Sequence, residues 1–163
     1  MWNPDGELGY AKIDLADYKS IIITSRRGAE AISSKRDNLV QPLDVTDYLP
    51  NDMHDWTNGS KAALDAVTHA INTAFATSGV VAIHCDRGRS RSPVAAGAYM
   101  LRYLHIPRAG VINAIRNGYA SSNMLHGGLN EERLNNQLLN YALALGIEQT
   151  VSGRVATRFQ VRI

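Results

Sequence analysis

The stretch from residue 79 to residue 104 constrains the fold more than any other part of the sequence. It begins with GVVAIHC (79–85), a short apolar run of the kind that is buried on both faces in a parallel β-sheet. It ends with PVAAGAYMLRYL (93–104), which predicts a helix with Ser92 as its N-cap and Pro93 at its first position, where a missing N–H costs nothing. A strand that passes through a short loop into a helix predicts an α/β protein.

Shorter periodic segments predict the other elements. Two further strands are predicted at SIIITS (20–25) and NLVQPLDV (38–45). Helices are predicted at three more segments: 60–76, 108–117 and 129–145, the last closed by Gly146. Because the helix at 60–76 lies between two predicted strands, these elements form a βαβ unit. The fold class is therefore α/β, with a central, twisted, mostly parallel sheet flanked by helices.

The length and the C-terminal segment indicate the domain organisation. With 163 residues, of which 45% are hydrophobic, the chain is long enough for one well-buried core and short for two. We expect one domain over residues 1–163, with its core at about 20–145. The segment 153–163 alternates apolar residues with arginines and Gln160, which predicts an edge strand whose charged face discourages pairing with another chain.

The charge balance and the cysteine count exclude several classes of function. Lys and Arg number 17 and Asp and Glu number 15, and a net charge of +2 is too small for bulk binding to nucleic acid or an anionic membrane. The N-terminus has no signal-peptide pattern, and no apolar run approaches the ~18 residues that span a bilayer. We therefore expect a cytoplasmic protein with no membrane span and no obligate nucleic-acid partner, while its oligomeric state is not indicated. Cys85 has no second cysteine for a disulfide or a thiolate zinc site, and the histidines are scattered, so no metal is predicted.

The loop CDRGRSRS (85–92) has the features of an anion-binding site. At a junction between strand and helix, unpaired N–H groups converge and the helix dipole adds partial positive charge. Gly88 allows the backbone to turn these N–H groups inward, and Arg91 presents a planar fork to two oxygens of a bound oxyanion. The same dipoles, with Arg91 and the Ser92 hydroxyl, favour the ionised and nucleophilic form of Cys85. The sequence therefore predicts a loop that holds an oxyanion and activates a thiol.

The spacing of His84, Cys85, Gly88, Arg91 and Ser92, written HCxxGxxRS, resembles the signature of the cysteine-dependent protein tyrosine phosphatase superfamily. It is most similar to the dual-specificity and bacterial tyrosine-phosphatase-like branch. The resemblance implies a phosphatase-like fold and hydrolysis of phosphate monoesters in phosphorylated proteins or peptides, through a phosphocysteine and without a cofactor. It implies that Cys85 takes the phosphoryl group, that Arg91 binds it and stabilises the transition state, and that Ser92 assists departure of the thiolate. The substrate-binding residues that it implies are Asp86, Arg87, Gly88, Arg89, Ser90 and Arg91.

The chemistry also needs an acid that protonates the leaving oxygen, and the family supplies an Asp upstream of the cysteine. Asp47 follows the end of a predicted strand in a pattern like the family's V-x-D, whereas Asp52 and Asp55 lie nearer to the spacing that is common in dual-specificity enzymes. We favour Asp47, because the acid loop begins where the strand leaves the sheet and extra loop residues cost little. Asp52, Asp55 and Asp44 stay open as alternatives.

Three alternatives to a protein phosphatase use a loop of this kind, and the position of the arginine disfavours one of them, the sulfurtransferase. Asp86, Arg87 and Arg89 occupy positions that are often small or apolar in this branch, and the two arginines are either solvated or select a second phosphate, as in a phosphoinositide or an RNA 5'-end. A rhodanese-like sulfurtransferase places its arginine five positions after the cysteine, where this chain has Ser90. A non-catalytic phosphate-binding domain is the third alternative.

Overall fold

In a computed structural model, the described part of the chain forms eight helices and strands. The described residues are 20–23, 56–57, 59–78, 81–85, 88–121, 128–151 and 154–157. In chain order the elements are β1 (Ser20–Ile23), α1 (Ser60–Ser78), β2 (Val81–His84), α2 (Arg91–Arg102), α3 (Arg108–Ser121), α4 (Glu131–Ala144), β3 (Glu148–Val151) and β4 (Arg154–Thr157). The strand predicted at 38–45 lies outside the described residues.

Strands β1 and β2 form a parallel pair, with a register that runs from Ser20 opposite Val81 to Ile23 opposite His84. The apolar run that predicted a buried parallel strand is therefore β2. Cys85 follows its last residue, at the carboxyl edge where parallel α/β sheets commonly bind ligands. Strands β3 and β4 form an antiparallel pair, and β4 falls within the segment predicted as an edge strand.

Helix α2 lies at the centre of the core and packs against α1, α3 and α4. Its buried side includes Ala98 and Leu101, which meet fully buried side chains of the neighbouring helices such as Leu64 and Leu138. Gly97 faces α4 so closely that a Cβ built on it would lie 2.7 Å from Leu138 Cδ1. This close packing fixes the helix that begins at the predicted anion site.

The predicted start of α2 was wrong. The helix begins at Arg91 with Ser90 as its N-cap, because the carbonyl of Ser90 already accepts the first helical hydrogen bond from Val94 N–H at 3.0 Å. Pro93 therefore lies in the first turn, where its missing N–H has no helical partner to lose. The Ser92 hydroxyl lies beside the cysteine, 3.2 Å from its sulfur, and does not cap the helix.

The ends of α4 follow local capping rules. Asn130 is the N-cap, and its side chain accepts a hydrogen bond from Arg133 N–H at 3.0 Å. At the other end Gly146 has a φ of 70°, its N–H donates to Leu143 O, and the N–H of the next residue donates to Ala142 O. This is a Schellman motif, which confirms the prediction that Gly146 closes the helix.

A polar cluster joins α1, α2 and α4 at the side of the core. Asp65 of α1 accepts hydrogen bonds from Lys61 at 2.6 Å, from Arg102 of α2 at 3.0 Å and from Tyr141 of α4 at 2.8 Å. Burial acts to raise the pKa of Asp65, but the hydrogen bonds from Lys61 and Tyr141 and the charge of Arg102 together lower it. Burial, with the Asp65 carboxylate beside it, raises the pKa of Tyr141 to about 12. The cluster holds three helices in register around a single carboxylate.

Candidate active site

The thiol of Cys85 lies at the bottom of the loop between β2 and α2, with 2% of the residue exposed. Its sulfur accepts a hydrogen bond from the N–H of Gly88 at 3.2 Å. The Ser92 hydroxyl oxygen is also 3.2 Å from the sulfur, and when the sulfur is ionised the hydroxyl is the donor. Two donors, one from the middle of the loop and one from the start of α2, therefore converge on one sulfur atom.

Gly88 makes this geometry possible through its backbone. Its φ of 66° lies in the left-handed region, where residues with a Cβ are strained. In this conformation its N–H turns back to Cys85, three residues earlier in the chain. The sequence requires a glycine at this point because the loop reverses direction there.

The N-terminus of α2 adds electrostatic support. Arg91 and Ser92 are the first two residues of the helix, so the partial positive charge of the helix dipole is centred close to the thiol. The first turn contains no acidic residue that would reduce this potential. An oxyanion bound over the sulfur would meet the helix dipole and the charge of Arg91 together.

The outer side of the loop is held by residues from distant parts of the sequence. The hydroxyl of Tyr119, near the end of α3, donates a hydrogen bond to the carbonyl oxygen of Gly88. The carbonyl oxygen of Arg89 accepts a hydrogen bond from Asn130 N–H at 2.9 Å, and the Arg89 side chain donates from Nε to Gly128 O at 3.1 Å. These contacts could not be predicted from the sequence, because no local pattern connects residue 88 with residue 119.

An apolar cavity of about 250 Å³ lies between β2, α2 and α3. Its lining residues are Ile83, Ser92, Pro93, Ala96, Ile115, Gly118 and Tyr119. The cavity therefore adjoins the site, because Ser92 also contacts the sulfur and Tyr119 also contacts the loop.

The structure brings together one part of the predicted site. Cys85, Gly88, Arg89 and Ser90 lie in the loop, and Arg91 and Ser92 are the first residues of α2. The other predicted residues lie outside the described residues, and they are Asp86, Arg87, Asp44, Asp47, Asp52 and Asp55. Among the described residues, no three His, Cys, Asp or Glu side chains are grouped so that they could hold a metal ion. None of the helices in that part of the chain is long and apolar enough to cross a membrane.

Comparison with family models identifies the family, and comparison with solved structures shows the fold. The family model "Dual specificity phosphatase, catalytic domain" matches residues 24–132. The crystal structure of human DUSP28 is similar to this chain, with 20% sequence identity, a TM-score of 0.54 and coverage of 81% of this chain and 80% of that one. A variant of the same human protein has 19% identity, a TM-score of 0.55 and coverage of 89% of both chains. Among the curated proteins none matches this sequence.

The family match spans the strand, the loop and the helix that hold Cys85, Arg91 and Ser92, and the structural neighbours show the phosphatase-like fold. The family that was predicted from the HCxxGxxRS signature is confirmed by this match. The chain therefore belongs to the family of dual-specificity phosphatase catalytic domains.

Proposed function

We propose that the protein hydrolyses phosphorylated proteins or peptides with Cys85 as the nucleophile. The observation that carries the proposal is the sulfur of Cys85, which lies 3.2 Å from both the Gly88 N–H and the Ser92 hydroxyl at the N-terminus of α2. Both groups can donate a hydrogen bond to a thiolate, which is the nucleophilic form of cysteine. The family match supports a cysteine-dependent phosphatase.

In the first step the Cys85 thiolate attacks phosphorus in line with the leaving oxygen. A P–S bond forms as the P–O ester bond breaks, and the N–H groups of the loop with the Arg91 guanidinium stabilise the charge on the phosphoryl oxygens. Asp47 transfers its proton to the departing oxygen, which leaves as an alcohol or a phenol. The products of this step are the free hydroxyl compound and a phosphocysteine.

In the second step water hydrolyses the phosphocysteine. The Asp47 carboxylate takes a proton from the water as its oxygen attacks phosphorus, and the P–S bond breaks. The Ser92 hydroxyl, which lies 3.2 Å from the sulfur, donates a hydrogen bond to the departing thiolate. Inorganic phosphate leaves, and the thiolate with its protonated acid is restored.

We also propose a fold for the whole chain. The parallel pair β1–β2 belongs to a wider, mostly parallel sheet flanked by helices, and the chain forms a single catalytic domain. Asp86, Arg87 and Arg89 contribute to substrate binding in this proposal, and no cofactor takes part. A cytoplasmic location stays a prediction of the sequence.

A turnover panel tests the function. The substrates are a phosphotyrosine peptide, a phosphothreonine peptide, a phosphoinositide and a 5'-phosphorylated RNA, with Cys85→Ser as the blank. We expect hydrolysis of the phosphopeptides and its loss in both Cys85→Ser and Arg91→Ala. Hydrolysis that persists in Cys85→Ser would refute the proposal, and a preference for the phosphoinositide or the RNA would select the alternative substrate class.

Matched substitutions test the acid. Asp47→Asn is expected to lower kcat by about 10²- to 10⁴-fold on the phosphothreonine peptide, because its alkoxide is a poor leaving group without a proton. Asp52→Asn and Asp55→Asn are controls of the same chemistry and are expected to keep wild-type kcat. The variant that loses activity identifies the acid, and wild-type kinetics for Asp47→Asn would exclude it.

A further inference from the structure

The loop around Cys85 is supported at two consecutive carbonyl groups by residues outside it. Tyr119 of α3 donates its hydroxyl to the carbonyl of Gly88, and Asn130 donates its backbone N–H to the carbonyl of Arg89. We infer that Tyr119 is a positioning residue: by holding the Gly88 carbonyl outside the loop, it orients the peptide N–H that follows toward the bound phosphoryl group. This inference rests on the proposed function, because that function places a phosphoryl group over the sulfur.

The planar trans peptide couples the direction of a carbonyl to that of the N–H that follows it. In a trans peptide the C=O of one residue and the N–H of the next point in opposite directions. A hydroxyl that holds the Gly88 carbonyl from outside therefore turns the Arg89 N–H to the other side of the loop. Asn130 acts in the same way on the next peptide, which carries the Ser90 N–H.

Gly88 links Tyr119 to the nucleophile within one residue. Its N–H donates to the sulfur of Cys85 at 3.2 Å, while its carbonyl accepts from Tyr119. The left-handed φ of 66° reflects a backbone with few steric restraints of its own. Because glycine is permissive, the orientation of its two peptides depends on such external contacts.

The ring of Tyr119 supplies the rigidity that positioning needs. It lies on α3 one turn after the buried Ile115, and both residues line the cavity that Ser92 also borders. Tyr119→Phe keeps the ring and removes only the hydroxyl. The matched control is Tyr99→Phe, since Tyr99 belongs to α2 and its ring stacks between Phe75 at 5.9 Å and Tyr103 at 5.5 Å.

The test measures oxyanion affinity as well as turnover. Sodium tungstate is titrated into wild type, Tyr119→Phe and Tyr99→Phe, and its affinity is measured by calorimetry. The thermal unfolding of each protein is followed by circular dichroism. We expect Tyr119→Phe to bind tungstate about fivefold to tenfold more weakly, the size of one hydrogen bond, with kcat/KM on the phosphopeptide falling by a similar factor. Tyr99→Phe is expected to match wild type within about twofold. Because Tyr119→Phe loses one hydrogen bond, it is expected to melt a few degrees below Tyr99→Phe while it stays fully folded at the titration temperature.

The outcomes separate this inference from the proposed function. Weaker tungstate binding in Tyr119→Phe supports positioning, even if no phosphopeptide is hydrolysed by wild type, in which case only the function fails. Equal tungstate affinity in the two variants refutes positioning, whatever the turnover. A Tyr119→Phe protein that is partly unfolded at the titration temperature would make the residue structural, and a wild type that binds no tungstate would leave no oxyanion site for Tyr119 to support; both results overturn the inference.

Discussion

Replacing Gly97 with alanine tests the packing that holds α2, the helix that carries Arg91 and Ser92. Gly97 is buried in the middle of this helix and faces α4 and α3. An added Cβ would lie 2.7 Å and 3.1 Å from the two methyl groups of Leu138, and 3.2 Å from Ile115 Cδ1. Real Cβ atoms do not approach other atoms to 2.7 Å, so Leu138 or the helix must move.

Two effects of opposite sign compete in Gly97→Ala. Alanine favours a helix over glycine by about 0.5–1 kcal/mol, whereas one extra carbon in a packed core costs about 1–3 kcal/mol. Leu138 is 0% exposed and Ile115 is 8% exposed, so neither side chain can swing into solvent to make room. The steric cost therefore falls in the upper part of its range, and we expect a net loss of about 1–2 kcal/mol.

Gly118→Ala is the matched control. Gly118 lies in α3, and an added Cβ there would meet nothing within 4 Å. Only the helix preference acts at this position, so we expect a gain of about 0.5–1 kcal/mol. In a domain of this size 1 kcal/mol corresponds to about 2–4 °C in Tm, so thermal unfolding followed by circular dichroism should move in opposite directions for the two variants. If Gly97→Ala also raises Tm, α2 and α4 are not packed as closely as described.

Two further predictions concern the polar cluster and the cap of α4. The folded protein lowers the pKa of Asp65 below its usual value of 3.8, so the carboxylate stabilises the fold above that pH and its contribution disappears as the pH falls through the lowered value. In urea unfolding we expect Asp65→Asn to cost about 1–2 kcal/mol near neutral pH, and the difference from wild type to shrink at about pH 3; an unchanged difference would contradict the role of the charge. Asn130→Ala should cost about 1 kcal/mol in thermal unfolding, because it leaves the Arg133 N–H without its side-chain acceptor. Asn130→Asp should keep the cap, and an equal loss of stability in both variants would argue against capping.

Local patterns predicted the elements that depend on local physics. The helix expected at 60–76 spans Ser60–Ser78, because an apolar face repeats with the helical period and Gly79 follows. The end of α4 was predicted from Gly146, since a φ of 70° favours glycine. The family was also predictable, because the spacing from Cys85 to Arg91 is fixed by the loop itself.

The start of α2 shows where local preference is overruled. Serine followed by proline is a common sequence for an N-cap and a first helical position, and it predicted a helix from Pro93. The helix instead begins two residues earlier, and the Ser92 hydroxyl lies 3.2 Å from Cys85. The Ser92 hydroxyl could either cap the helix or contact the sulfur. Residue preference cannot decide between the two, because the contact with the sulfur depends on the shape of the whole loop.

The support of the loop by Tyr119 could not be predicted for a geometric reason. A helix turns about 100° per residue, so a shift of α3 by a single residue would carry the Tyr119 hydroxyl away from the Gly88 carbonyl. Periodicity identifies the buried face of α3 through residues such as Ile115, but helix boundaries are uncertain by more than one residue at the sequence level. The contact depends on where α3 sits against α2, and therefore on the packing of Gly97 against Leu138 and Ile115. A substitution at Gly97 should for this reason shift α3 and with it the contact of Tyr119 with the loop, although neither Gly97 nor Tyr119 touches the thiol.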